Sequence, residues 1–243
     1  MCGRFWLKTP SESLAELLKA SLPPDVPPVF TRPRYNIAPG QEVVIGRMDA
    51  GGGGRVLAGA RWGLVPHWAR EASFGARTIN ARSETADVKP AFRDAFRHGR
   101  CVIPADGFYE WKPSGGRRKQ PLAVAHADGS PMVFAGLWAR WRPEGAGAGL
   151  DTCTILTCPA NPALRDIHER MPVVLAPSSL GAWLDAGADL GRVKWLLRPE
   201  PAGQQVVWAV GTGVNAVAND GPELLAEVDA EPGGVVEEPG LFG

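Results

Sequence analysis

Cys2 is the residue whose position could give this sequence an unusual chemistry. If Met1 is removed, Cys2 carries a free α-amine and a thiol on adjacent carbons, a 1,2-aminothiol. The amine condenses with an aldehyde to a Schiff base, and the thiol then closes a five-membered thiazolidine ring. Because an α-amino group has a pKa of about 7.7–8.0, part of it is neutral and nucleophilic near pH 7. Cysteine at position two is weak evidence when taken alone, since in most proteins it does nothing of this kind.

The two residues after Cys2 also bear on that chemistry. Gly3 lets the terminus turn and lets a backbone or ligand approach closely. Arg4 places a permanent cation two residues from the thiol, where it is expected to favour the thiolate and to hold a phosphate beside the reacting centre. The alternative for Arg4 is a surface ion pair.

Four further polar residues are candidates for proton transfer and sugar binding. Glu110 lies between aromatic residues on a predicted strand and could shuttle protons during Schiff-base formation, with pairing to an arginine as an equal alternative. His168 is set among charged residues and can act as an acid or base near neutral pH, although a lone histidine is more often structural. Asn80 and Arg82 occupy alternate positions and can face a sugar-phosphate together. A turn or helix cap is the alternative for that segment.

The charge distribution favours a nucleic-acid partner, although the chain of 243 residues has no net charge. Residues 1–120 carry 19 Lys and Arg against 11 Asp and Glu, whereas residues 121–243 carry 7 against 15. Twenty of the basic residues are arginine, whose planar fork suits phosphate. An Arg-rich solvated surface explains the same composition equally well. Exposed tryptophans near arginines would offer stacking platforms for unpaired bases; the candidates are Trp62, Trp68, Trp111, Trp138 and Trp141.

The expected compartment and cofactors depend on sequence patterns that are absent. It has no signal-peptide pattern and no apolar run long enough to cross a bilayer, so we expect a cytoplasmic protein without a membrane partner. The cysteines are expected to be reduced, with Cys153 and Cys158 buried in a strand. No ligand spacing typical of zinc occurs, and neither a metal nor a cofactor is expected.

The periodicity predicts a single α+β domain over residues 2–228, built on curved, barrel-like antiparallel β-sheets with short peripheral helices. A capping box of Thr9 and Glu12 is expected to start the first helix. Residues 34–40 read as an ordered loop, 51–54 as a hairpin tip, and 229–243 as a disordered acidic tail. Helices are predicted over 10–20, 90–98, 162–166, 179–186 and 190–197. Strands are predicted over 43–45, 101–104, 108–112, 122–126, 132–141, 152–158 and 206–210.

Eight segments of the sequence, in order, resemble the SOS response-associated peptidase (SRAP) domain family, the abasic-site processing proteins. The similarity spans roughly residues 2–228, and eight motifs in order are far more specific than one. The segments are Met-Cys-Gly-Arg-Phe at the start, Arg34-Tyr-Asn-Ile-Ala-Pro-Gly40, Arg61-Trp-Gly-Leu-Val-Pro66, Ile79-Asn-Ala-Arg-Ser-Glu-Thr85, Arg100-Cys-Val-Ile-Pro104, Asp106-Gly-Phe-Tyr-Glu-Trp111, Phe134-Ala-Gly-Leu-Trp138 and Ile167-His-Glu-Arg-Met-Pro172.

This resemblance implies a role for each matching residue. Met1 is removed by the protein itself, and Cys2 forms a thiazolidine with the ring-opened sugar of an abasic site. Glu110 assists proton transfer and crosslink reversal, His168 acts on the opened sugar, and Asn80 hydrogen-bonds the amine or the sugar. The DNA-binding residues so implied are Arg4 and Arg82 on phosphates, Pro39 and Trp68 as disruptors of base stacking, and Arg77 and Thr157 as further contacts. Trp111, one of the tryptophans considered above as stacking platforms, is a further DNA-binding candidate that does not come from the resemblance.

The sequence therefore predicts a monomeric enzyme that captures abasic sites in single-stranded DNA covalently, in the SOS response to DNA damage. Self-processing peptidase activity and a weak lyase activity at the Schiff-base stage accompany this prediction. Two alternatives stay open. One is an N-terminal-nucleophile cysteine peptidase or amidase, in which Cys2 attacks a peptide carbonyl with its own amine as the base. The other is a non-covalent single-strand binding module, whose salt-sensitive affinity ignores both the lesion and Cys2.

Overall fold

The computed structural model describes residues 2–23, 28–113, 119–143 and 149–229. Residues 230–243 of the predicted acidic tail lie outside that set. In chain order the strands are β1 (Arg4–Leu7), β2 (Ala20–Ser21), β3 (Arg34–Ile37), β4 (Glu42–Met48), β5 (Arg55–Trp62), β6 (Asn80–Arg82), β7 (Arg100–Ala105), β8 (Gly107–Pro113), β9 (Lys119–His126), β10 (Met132–Trp141), β11 (Leu150–Pro159), β12 (Arg170–Pro172) and β13 (Gln205–Ala209). The α-helices are α1 (Ser11–Leu18), α2 (Arg93–His98), α3 (Leu180–Leu184) and α4 (Leu190–Trp195).

Five of these strands close into a mixed barrel. The strands β5, β4, β7, β10 and β11 follow one another as antiparallel neighbours. A parallel pairing of β11 with β5, at Thr152 with Arg61 and Cys153 with Trp62, completes the ring. Closure removes the open edges that a flat sheet would present. The predicted α+β domain with a curved, barrel-like sheet is confirmed.

Two short strands extend the barrel along β11. β6 runs parallel to β11, with Asn80 beside Ile155, and β12 runs antiparallel to it, with Arg170 beside Pro159. Each has only three residues. They matter because β6 carries Asn80 and because the turn before β12 carries His168.

A second sheet packs on the barrel in the order β13-β9-β8-β1-β3, with every neighbouring pair antiparallel. Alternation along β1 and β8 sends their side chains to two different cores. Phe5 and Phe108 face the barrel, where the Phe5 ring lies 5.2 Å from that of Trp62. Trp6 and Tyr109 face away, and their tilted rings lie 4.8 Å apart in a smaller cluster. β1 therefore joins the barrel core to the second sheet.

The helices are short and peripheral, as predicted, but three local expectations are wrong. The Thr9 hydroxyl does not cap α1, because it donates to Asp106 Oδ1 at 2.5 Å, and Pro10 stands at the N-cap position. The helix predicted over 162–166 is a run of hydrogen-bonded turns. The predicted loop at 34–40 contains β3. The hairpin tip at 51–54 is confirmed, with Gly52 and Gly54 in the left-handed region that glycine permits.

All four cysteines are free and buried. Cys153 and Cys158 lie in β11, as expected. No helix in the described part of the chain is long and apolar enough to cross a membrane.

Candidate active site

Cys2 lies immediately before β1 and is completely buried. The side-chain amide of Asn80 donates a hydrogen bond of 2.7 Å to the carbonyl oxygen of Cys2. Because β6 is held on β11 by backbone pairing, Asn80 ties the start of the chain to the barrel. This bond joins residues that are 78 positions apart in sequence.

Glu110 lies beside Cys2 and is also buried, with 4% of its surface exposed. The antiparallel register pairs Arg4 with Tyr109, so the next residue of β8, Glu110, runs alongside the start of β1. Burial raises the pKa of the Cys2 thiol well above its usual value, and the negative charge of Glu110 adds to this rise. The expectation that Arg4 favours the thiolate is therefore wrong, since desolvation and Glu110 keep the sulfur protonated.

Arg4 turns its guanidinium toward the segment 212–220. Its Nη1 donates to Asn36 Oδ1 at 2.7 Å and to the carbonyl of Val214 at 2.8 Å. The guanidinium also lies 5.9 Å from the ring centre of Trp111, and the Trp111 indole donates to Asn215 Oδ1 at 2.7 Å. Burial lowers the pKa of Arg4. The alternative of a surface ion pair does not apply, because the partners of Nη1 are neutral.

His168 occupies the turn before β12 and faces the same cleft. Its Nδ1 accepts a hydrogen bond of 2.9 Å from the backbone N–H of Arg170. Because Nδ1 is an acceptor, the neutral ring carries its proton on Nε2. The cleft has a volume of about 390 Å³ and is lined by Arg4, Glu110, Trp111, Lys119, His168 and Asn215. A carboxylate, an imidazole and two cations thus line one opening next to Cys2.

An exposed aromatic and cationic surface is formed by Trp68, Phe74 and Arg77. Trp68 is 47% exposed and meets Phe74 edge to face at 5.2 Å. The guanidinium of Arg77 lies 5.2 Å from the centre of the Phe74 ring. Pro39 is also exposed, in the loop that follows β3. Both residues expected to disrupt base stacking therefore present their side chains to solvent.

Arg82 and Thr157 are backbone partners on β6 and β11 but differ in exposure. Arg82 is exposed and free to meet a phosphate, whereas Thr157 is completely buried. The Thr157 hydroxyl donates to the carbonyl of Ala81 at 3.4 Å. Thr157 has no exposed surface with which to contact DNA, and its hydroxyl instead ties β11 to the neighbouring strand β6.

The remaining tryptophan candidates divide between core and surface. Trp62 and Trp141 are buried, and each donates its indole N–H to a backbone carbonyl. Trp138 is half-buried, with the Arg47 guanidinium 4.5 Å from its ring centre. Among these five candidates, only Trp68 is largely exposed, and Trp111 is half-buried at the cleft.

Sequence reasoning missed Lys119 and Asn215, which line the cleft. Asn215 arrives there through the segment 212–220, which Asn36 and Asp220 clamp to β3. The Asn36 amide donates to the carbonyls of Val214, Ala216 and Asn219, and Asp220 Oδ1 accepts from the backbone N–H groups of Tyr35 and Asn36. No local pattern signals this long-range clamp.

Comparison with known proteins places this fold and cleft in a family. Residues 1–217 match the family described as SOS response associated peptidase (SRAP). The chain is 37% identical over 227 residues to the abasic site processing protein YoqW of Bacillus subtilis, covering 93% of this chain and 99% of that one. It is 33% identical to YedK of Escherichia coli, covering 94% and 100%, and 34% identical to HMCES of Gallus gallus, covering 82% and 67%. Both carry the same description, abasic site processing protein.

Solved structures share the fold. A protein from Bacteroides thetaiotaomicron matches with a TM-score of 0.82 at 21% identity, over 93% of this chain and all of that one. A protein from Bordetella bronchiseptica matches with a TM-score of 0.73 at 31% identity, over 86% and 100%. The chain belongs to the SRAP family, whose relatives named above are abasic site processing proteins.

Proposed function

We propose that this protein captures abasic sites in single-stranded DNA through a thiazolidine formed by Cys2, after removal of Met1. The observation that carries the proposal is the convergence on Cys2: Asn80 holds its carbonyl at 2.7 Å, and Glu110 lies close enough for its charge to act on the thiol. Arg4 and His168 line the same cleft. The family membership supports the substrate class.

Removal of Met1 comes first, because an amide nitrogen cannot form a Schiff base. Hydrolysis of the Met1–Cys2 bond consumes one water, releases methionine and leaves the Cys2 nitrogen as a primary amine. The Cys2 carbonyl is fixed by Asn80 throughout. The chain thus prepares its own nucleophile.

Capture then proceeds in two steps with a balanced exchange of atoms. The Cys2 amine adds to the aldehyde of the ring-opened sugar, and loss of one water gives the Schiff base. Glu110 takes a proton from the nitrogen and returns it to the departing hydroxyl. The protonated thiol then adds to the imine carbon, forming the C–S bond and transferring its proton to the nitrogen.

In this proposal His168 assists the opening of the sugar ring. With its proton on Nε2, the neutral ring can donate to the ring oxygen of the closed sugar as the aldehyde opens. The Schiff-base stage also permits β-elimination, so a weak lyase activity accompanies capture.

DNA binding combines exposed cations with an aromatic surface. Arg82 and Arg77 are exposed for phosphate contacts, Arg4 offers a cation at the cleft, and Trp68 and Pro39 offer apolar surfaces to unpaired bases. Stacking on an aromatic ring requires an accessible base face, so this arrangement favours a single strand.

The test mixes the purified protein with single-stranded oligonucleotides that contain or lack one abasic site, followed by denaturing electrophoresis. We expect an adduct with the abasic strand only, lost in Cys2→Ala and retained in Cys158→Ala, which removes a different buried thiol. An adduct that survives Cys2→Ala would reject the mechanism. A peptidase would instead turn over added peptides, and a simple binding module would form no denaturation-resistant species.

A further inference from the structure

Asn161 is a buried asparagine that uses all the hydrogen-bonding positions of its amide. It is 3% exposed. Its Oδ1 accepts from the backbone N–H groups of Ala163 and Leu164 at 3.1 and 3.2 Å. Its Nδ2 donates to the carbonyl of Glu200 at 2.9 Å and to Gln205 Oε1 at 3.1 Å. A fully satisfied buried amide fixes the backbone on both of its sides.

One side of this amide leads directly to His168. The Asn161 side chain accepts a hydrogen bond from the backbone N–H of Leu164. The carbonyl of Leu164 in turn accepts from the backbone N–H of His168 at 3.0 Å. The N–H of Ile167 shares that carbonyl at 2.9 Å. The turn ends where His168 Nδ1 accepts from Arg170. A series of hydrogen bonds that begins at Asn161 therefore sets the position of the imidazole.

The other side of the amide is anchored to the second sheet. Glu200 Oε1 lies 2.8 Å from His126 Nε2, and Gln205 Nε2 donates to Glu200 Oε2 at 2.7 Å. His126 ends β9, and Gln205 begins β13. Asn161 thus connects the turn that carries His168 to the hydrogen-bonded pair of His126, at the end of β9, and Glu200, in the segment before β13. Both strands belong to the sheet that carries Glu110.

We propose that Asn161 is a positioning residue for His168. It holds the imidazole where it can act on the same sugar as the carboxylate of Glu110. This inference rests on the proposed function, because the alignment matters only if both groups act on one sugar. Asn161 does not line the cleft, so its effect passes through the turn. A displacement of about 1 Å in a reacting group is enough to slow a reaction many-fold.

The test combines kinetics with a double-mutant cycle. Adduct formation on abasic single-stranded DNA is timed for Asn161→Ala, His168→Ala and the double variant, at a temperature where thermal unfolding shows each to be folded. We expect Asn161→Ala to slow adduct formation about ten-fold alone and to add nothing in the His168→Ala background. Asn161→Asp keeps the cap on residues 163 and 164 and is expected to recover part of the rate. Losses that simply multiply in the double variant would overturn the proposal.

A second readout does not depend on capture. Nitrogen-15 NMR of the histidine rings reports the tautomer and titration of each imidazole. We expect Asn161→Ala to move the His168 signals while the exposed His67 and His98 keep theirs. Unchanged His168 signals would contradict the positioning role. A wild-type protein that forms no adduct would instead reject the proposed function and leave the NMR result to decide the role of Asn161.

Discussion

The amide of Asn80 and the carbonyl of Cys2 are joined by a hydrogen bond of 2.7 Å. Asn80 belongs to a three-residue strand on the barrel, whereas Cys2 precedes the strand that bridges to the second sheet. The bond therefore fixes the start of the chain between the two sheets, next to Glu110. The start of a chain usually moves freely, whereas here the backbone of Cys2 is held in place.

Loss of the Asn80 donor should slow capture without unfolding the protein. We expect Asn80→Ala to reduce the rate of adduct formation about ten-fold, because a hydrogen bond of this kind is worth about 1 kcal/mol and also orients the nucleophile. Asn80→Asp should be slower still, since a carboxylate cannot donate and adds negative charge beside Glu110. Timed electrophoresis measures both, with Gln204→Ala as the control, because it removes an exposed amide that lines a different cleft. Wild-type rates in both variants would show that the bond has no role.

Trp68 should contribute binding energy through stacking. We expect Trp68→Ala to weaken affinity for single-stranded DNA about ten-fold, within the range of about 1–3 kcal/mol per stacked base. Trp195 is the matched control, because it is 67% exposed on α4 and lines a different cleft. Fluorescence anisotropy with an undamaged oligonucleotide makes the comparison. Equal losses in the two variants would argue against a specific platform at Trp68.

Arg82 should bind a phosphate and so contribute to the salt dependence. We expect Arg82→Ala to weaken binding to all sequences alike and to lower the slope of log K against log salt by about 0.7, the contribution of one phosphate on a single strand. Arg192→Ala, an exposed arginine on α4, is the control. The measurement is a titration at several salt concentrations. A slope that stays at the wild-type value would remove Arg82 from the interface.

The pair of His126 and Glu200 should make stability depend on pH. The hydrogen bond that His126 donates to Glu200 raises the pKa of His126 above its ordinary value. Its stabilisation is therefore complete below pH of about 6.5, the unfolded value, and is lost as the pH rises through the folded pKa. Thermal unfolding at successive pH values should show this decline in the wild type.

Two variants test that dependence. His126→Gln should lack the decline. His126→Ala should lower the free energy of unfolding by about 1–3 kcal/mol near pH 6, because Glu200 Oε1 loses its partner. A wild-type profile as flat as that of His126→Gln would contradict the linkage.

The fold class and most of the barrel could be predicted from the sequence, because long apolar runs between turn residues are typical of buried strands. The runs that became β7, β8, β10 and β11 are continuous and end at turn residues. β6 and β12 were missed because each has three residues and forms only by pairing with β11. The parallel closure of β11 on β5 also depends on a long-range register that no local pattern carries.

The candidate site divides in the same way. Cys2, Glu110 and His168 were identified because their residue types and neighbours suggest chemistry. Lys119 and Asn215 were not, since the clamp of residues 212–220 by Asn36 exists only in the folded chain. The burial of Thr157 likewise follows from its place in the sheet, between β6 and β12. Local sequence indicates which residues can do chemistry, whereas packing decides which of them a substrate can reach.

The mass and thiol reactivity of the purified adduct test the central claim most directly. If the amine and the sulfur of Cys2 both bond to one sugar carbon, the adduct weighs the sum of the Met1-free protein and the oligonucleotide less one water. Its Cys2 then resists alkylation after denaturation, while Cys101, Cys153 and Cys158 react. An adduct that retains Met1, or one whose Cys2 thiol is still alkylated, would contradict this account.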